Sequence, residues 1–160
     1  MVSDGEREKM ISAHISDKEG VYSVTAIRLD IKNEPCKHEL AKMRILAEKV
    51  FEPLRDHVGG AIKINSFFRS QELNVAIGGS TTSQHCTGEA IDIDDTFGYA
   101  TNAEMFNYIK DNLSFDQLIW EHGNDDNPNW VHVSYVDDKT NRKSILKAYK
   151  ENGKTKYKRI

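Results

Sequence analysis

The 160-residue chain predicts one α+β domain: an antiparallel sheet with helices packed behind it. Three observations carry that expectation. Helical periodicity is strongest early, over residues 37–58, whereas short segments of strict alternation dominate the second half. Helix-first, strand-later order is that of α+β folds and not of alternating βαβ units. At 38% hydrophobic residues, this length supports one core without disulfide staples and is too short for two. No internal repeat or low-complexity linker divides it, so 1–160 is read as a single domain.

Residues 1–20 carry little pattern and read as a loosely packed arm. Over 37–58, Leu40, Met43, Ala47, Val50, Phe51, Leu54 and Val58 recur at three- and four-residue steps, the stripe of an amphipathic helix. Pro53 is a candidate kink, and Gly59-Gly60 a stop. Residues 61–67 alternate as a strand, and 70–77 read as a short helix ending at Gly78-Gly79. Residues 90–94 alternate again. Thr101 and Glu104 have capping-box spacing and open a helix to about Leu113. Residues 117–121 and 130–135 are two more strands joined by a polar loop. Asn152-Gly153 marks a final hairpin turn.

No run of about eighteen apolar residues is present, which excludes a transmembrane helix. The start lacks a basic stretch followed by an apolar one, so synthesis in the cytoplasm without a secretory leader is the expectation. Cys36 and Cys86 are too few for a disulfide framework. The net charge of −3 hides an asymmetry: residues 139–160 hold nine Lys or Arg against one acid, Glu151. Such a tail attracts polyanions, but lysines also protect an exposed sheet edge. No nucleic-acid-reading motif accompanies it, so the reading is an edge hairpin and no nucleic-acid partner.

Among six histidines, His14, His38 and His57 fall in polar arm or helix positions, and His122 faces a polar loop with its role open. His85 precedes a glycine-containing turn and a strand carrying Asp92. His132 sits mid-strand between Val131 and Val133 and so points away from their face. Two imidazoles and a carboxylate make a three-ligand zinc site with one open position for water, although a mid-strand histidine is more often structural. Glu121 ends an apolar strand, where a carboxylate could take a proton from such a water; Arg69 follows Phe67-Phe68, where a guanidinium could hold a carboxylate or oxyanion. Either could equally be a surface ion pair.

Taken together these pieces resemble a known family. Ser83-Gln84-His85, Gly88, Ala90 and Asp92 match the Ser-x-His-x-x-Gly-x-Ala-x-Asp signature of the zinc D-Ala-D-Ala carboxypeptidases, metallopeptidase family fifteen, which includes phage endolysin endopeptidases. Phe67-Phe68-Arg69-Ser70 resembles the segment upstream of the first ligand, and residues 130–135 the segment holding the third. Phe115-Asp116-Gln117-Leu118-Ile119-Trp120-Glu121 is similar to short phage- and prophage-type members. The resemblance spans roughly residues 21–136 and implies a hedgehog/DD-peptidase-like fold. It implies Zn2+ bound by His85, Asp92 and His132, catalytic roles for Arg69 and Glu121, and substrate contacts from Arg69 and Ser83; Trp130 and Tyr135 either line the peptide groove or belong to the core. Asn129 stands where many members carry an acid three positions before the third ligand, which leaves Glu121 as the substitute base.

The implied function is zinc-dependent hydrolysis of an amide bond in peptidoglycan stem peptides, as a carboxypeptidase or an endolysin-type endopeptidase. Nickel or cobalt suits the same ligands. The expected partner is the wall peptide, with no nucleic acid, no membrane and a monomeric chain; phage holin release is one route to the bacterial cell wall. Because Asn129 replaces an acid, the alternative is a catalytically silent zinc- and peptide-binding module on the same fold.

Overall fold

The computed structural model describes residues 9–160. β1 (Met10–Ser12) and β2 (Ile15–Ser16) form a small antiparallel ribbon, followed by α1 (Asp17–Val21) and α2 (Val24–Arg28). Ile11 and Ile15 are buried in the main core. Residues 10–16 are therefore packed structure, in contrast to the loose arm read from sequence, where two isolated isoleucines are too few to define a period. The remainder of that arm, residues 1–8, lies outside the described residues.

The long amphipathic segment is divided. α3 (Lys37–Leu46) passes through a π turn, Ala47–Phe51, into α4 (Glu52–Val58). Proline at position 53 has no N–H to give, and the chain accommodates it in the first turn of α4, just after Glu52 N–H reaches back five residues to the Ala47 carbonyl. The wide turn keeps the apolar stripe inward: Met43, Ala47, Val50, Phe51 and Leu54 are all buried. Gly59, at φ 74°, ends the helix in the left-handed region.

β3 (Lys63–Ser66), α5 (Gln71–Ala76), a 3₁₀ turn at Gln84–Thr87, β4 (Ala90–Asp94), α6 (Asn102–Asn112), β5 (Gln117–Glu121), β6 (Trp130–Ser134), β7 (Ser144–Glu151) and β8 (Lys154–Arg159) complete the chain. The main sheet has the order β3-β4-β6-β5-β7-β8. Its pairs are antiparallel except β5 with β7. That exception follows from the loop after β6, which carries the chain past β5 so that β7 runs in the same direction on its far side. Asn152 (φ 51°) and Gly153 (φ 77°) make the tight β7–β8 turn that their sequence requires.

One face of the sheet is apolar. Ile91 and Ile93 of β4, Val131 and Val133 of β6, and Leu118 and Trp120 of β5 point to the helices and meet Met43, Leu54, Phe106 and Ile109. Each such side chain contributes roughly 1.5–3 kcal/mol by leaving water. Strand alternation then forces Asp92, His132, Ile119 and Glu121 onto the opposite face. Among the described residues no helix is long and apolar enough to cross a membrane.

Candidate functional site

The site is built on β4 and β6, whose register sets Asp92 directly across from His132. His85 arrives from the 3₁₀ turn. Ser83 caps that turn, its Oγ accepting from the His85 N–H at 3.3 Å, so its hydroxyl is engaged in holding the turn. Gly88 ends the turn at φ 79°, and an added Cβ would fall 2.5 Å from the Glu39 carbonyl oxygen; both facts require glycine there. Two bonds stitch the turn to the loop after β3: Arg69 N–H donates to the His85 carbonyl (3.2 Å), and His85 Nδ1–H donates to the Phe67 carbonyl (2.8 Å).

That second bond fixes the His85 tautomer and leaves Nε2 with a free lone pair. Nε2 lies 3.2 Å from Asp92 Oδ2, and His132 Nδ1 lies 2.9 Å from Asp92 Oδ1. The three side chains are 4%, 14% and 13% exposed for His85, Asp92 and His132, so the cluster is desolvated yet open on one side. Burial opposes the Asp92 charge, but the His85 and His132 imidazoles outweigh it and hold the carboxyl well below the usual range. The ligand atoms all lie within 4.8 Å of one another, and the trio could hold a metal ion. Tetrahedral ligands about 2.1 Å from a metal stand about 3.4 Å apart, comparable with the 3.2 Å between His85 and Asp92 and the 2.9 Å between His132 and Asp92.

Glu121 pairs with Trp130 across β5 and β6, two residues along from the Ile119–His132 pair, so it is diagonal to His132 on the same face. It is 7% exposed. Burial, with the Asp92 charge adding to it and His132 opposing, pushes its carboxyl up to about 7. A carboxyl poised there both takes and returns a proton near neutral pH. His122 Nε2 lies 4.0 Å from the Glu121 carboxylate, and the His122 ring stands 5.6 Å from that of Trp130. Asn129 is exposed, and its N–H donates to the Glu121 carbonyl. Tyr135 is buried in the core and not at the site.

Arg69 is aimed by neighbours that the sequence alone did not single out. Its Nη1 donates to Asn74 Oδ1 (3.0 Å) and its Nη2 to Ser66 Oγ (3.3 Å), while the Asp92 charge acts on it. Asn74 is 1% exposed and donates to the Ser80 carbonyl. A Cβ on Gly79 would overlap Asn74 Oδ1, so this glycine leaves room for the amide. Tyr157 was also missed. It faces Ala148, which faces Glu121, so β8 carries a phenol toward the site, and burial with the Glu121 and Asp92 charges raises its pKa. A buried asparagine in a short helix and a tyrosine in a basic hairpin have no local signal that separates them from ordinary surface residues.

A sheet face bearing a His-Asp-His cluster, with a buried carboxyl diagonal to it, defines a candidate metallohydrolase. The chain belongs to the Peptidase M15 family, whose model matches residues 13–134. Its class is therefore that of metal-dependent peptidases. No curated protein matches the chain.

Proposed function

We propose that this protein is a zinc-dependent peptidase that hydrolyses an amide bond in peptidoglycan stem peptides, as a short phage- or prophage-type member of its family acting on the bacterial cell wall. The observation that carries the reading is the His85–Asp92–His132 cluster with Glu121 diagonal to it on one sheet face of an M15 chain.

His85 Nε2, one Asp92 oxygen and His132 Nδ1 would hold the ion. Bound there, zinc supplies a Lewis acid for the scissile carbonyl and lowers the pKa of water. Glu121 takes the water's proton and returns it to the leaving amine, a role matched to its raised pKa. Arg69, held by Asn74 and Ser66, offers a guanidinium to the substrate carboxylate or the developing oxyanion. Trp130 flanks Glu121 on the site face and walls the peptide groove. Ser83 acts through the turn that carries His85.

The test is a mass-spectrometric digest of purified muropeptides with added zinc, with a chelator control and Glu121→Gln beside the wild type. Chelator-sensitive loss of one D-Ala means a carboxypeptidase, and a split stem or crosslink means an endopeptidase. Glu121→Gln lowers the rate by about 10²–10⁴-fold. Zinc binding without cleavage of any wall chemotype would overturn the reading in favour of a silent binding module.

A further inference from the structure

β3 ends the sheet, and its outer edge borders a cavity of about 370 Å³. All four residues of β3 line that cavity. Successive side chains of a strand point to opposite faces, so a cavity touching all four runs along the strand's free edge. Val24 of α2, Leu73, Ile77 and Arg69 line it as well. A second cavity of about 320 Å³ shares Tyr22, Lys63 and Ile64 and continues toward Lys18.

The register gives this groove a direction. Ser66 pairs with Asp92, so its Ser66 end abuts the His-Asp-His cluster, with Arg69 bonded to Ser66. Lys63 pairs with Asp94 and lies about 10 Å farther along the strand. Terminal strands present unpaired N–H and C=O groups that an extended peptide can bond. The walls are apolar and uncovered: Val24 is 64% exposed and Ile77 44%. The charges are Lys18, Lys63 and Arg69 against Glu19, whose carboxyl is already bound to Ser16.

We infer that the free edge of β3 is a binding track for an extended, anionic peptide segment of the substrate, with the scissile bond at the Ser66–Arg69 end and a carboxylate toward Lys63. The inference rests on the peptidase reading and adds the path and charge of the bound chain. The pairing of Ser66 with Asp92 and the positive lining favour this occupant over a second protein.

The test uses the full chain loaded with zinc and two probes: the stem pentapeptide L-Ala-γ-D-Glu-L-Lys-D-Ala-D-Ala and its analogue with the D-Glu carboxylate amidated. Lys63→Ala raises KM for the carboxylate form about fivefold with kcat within about twofold. Amidation penalises the wild type to a similar degree and Lys63→Ala hardly at all. Val24→Glu, an exposed change that sets a like charge on the wall, raises KM more than Val24→Lys does. If the wild type cleaves both probes and these variants leave KM unchanged, the track is overturned while the peptidase reading stands. If the wild type cleaves neither, the muropeptide digest decides the peptidase reading and fluorescence anisotropy of the labelled probes decides the track. Weaker binding of the carboxylate form by Lys63→Ala and Val24→Glu supports it; equal or absent binding overturns it.

Discussion

Asp92 and Asp116 are both carboxylates largely withdrawn from water, with side chains 14% and 3% exposed, whose surroundings give them opposite uses. Asp116 accepts from Arg142 N–H, Nε and Nη2 and from Gln84 Nε2, at 2.8–3.0 Å. Every partner is an obligate donor, so the set is closed and complete in the protein alone. The Arg142 side-chain bond, working against burial, pulls Asp116 down to about 2. Asp92 instead faces two imidazoles whose nitrogens offer lone pairs as readily as protons. Its set is complete only when protons or a cation stand between oxygen and nitrogen. Asp116 therefore belongs to the fold, fastening the start of β7 and the turn carrying His85 to the sheet. Asp92 belongs to the cluster that could hold a metal ion.

The largest expected effect separates the two directly. Asp92→Asn or His132→Ala lowers kcat/KM by at least about 10³-fold, because several kcal/mol of metal-dependent transition-state stabilisation is lost. The cost to metal-free stability is smaller, about 1–3 kcal/mol, because two imidazole contacts are lost but no closed set of donors is broken. Steady-state assays and thermal melts on metal-free protein check both halves. A loss of activity no larger than that of Asp116→Asn would show Asp92 to be a structural carboxylate like Asp116.

Zinc removal is the next lever. A ligand at about 1,000 times its Kd adds about 4 kcal/mol to the folded state. For a chain of this size that is roughly 8–16 °C in Tm. Chelation therefore abolishes activity, lowers Tm, and is reversed by zinc. Asp116→Asn shows the same zinc-dependent shift from a lower baseline, whereas Asp92→Asn shows little shift. Calorimetry with and without zinc reads both.

The two carboxylates also differ in how legible they were. Asp92 and His132 could be read locally: alternation with Ile91, Ile93, Val131 and Val133 fixes the face they occupy, and only the register between strands had to be supplied by the fold. Gly88 marks a turn that brings His85 toward them. Asp116 sits in an equally recognisable segment, but its partner Arg142 lies 26 residues on in a tail that composition describes only as basic. Arg69 was legible as a cation at a strand end, and its orientation was not, because that depends on Asn74 and on the space Gly79 leaves. The parallel β5–β7 pair and the burial of Ile11 and Ile15 were hidden for the same reason: each is decided by contacts distant in sequence.

Asp116→Asn has a smaller effect, on stability alone. Hydrogen bonds to a charged group contribute about 1.5–3 kcal/mol each, and the amide retains part of the set, so a net cost of about 2–3 kcal/mol is expected. Tm falls by about 4–12 °C. At a temperature where both proteins are folded, kcat/KM with zinc stays within about threefold. A much larger loss would mean that the Gln84 contact also sets the position of His85.

The pH dependence of that difference is the finest test. The folded Asp116 carboxyl titrates at about 2 and its ordinary value is 3.8. A depressed carboxyl stabilises the fold at pH values above its ordinary pKa, and the contribution is lost as pH falls toward the folded one. The unfolding free-energy difference between wild type and Asp116→Asn, measured by urea titration on metal-free protein, is therefore flat above about pH 5. It shrinks between pH 4 and 2. Metal-free protein is needed because zinc ligation requires unprotonated imidazoles and fails on acidification by its own route. A difference that persists unchanged to pH 2 would mean that Asn at this position loses shape and packing and not the bond between charges, and Asp116 would then differ from Asp92 in geometry alone.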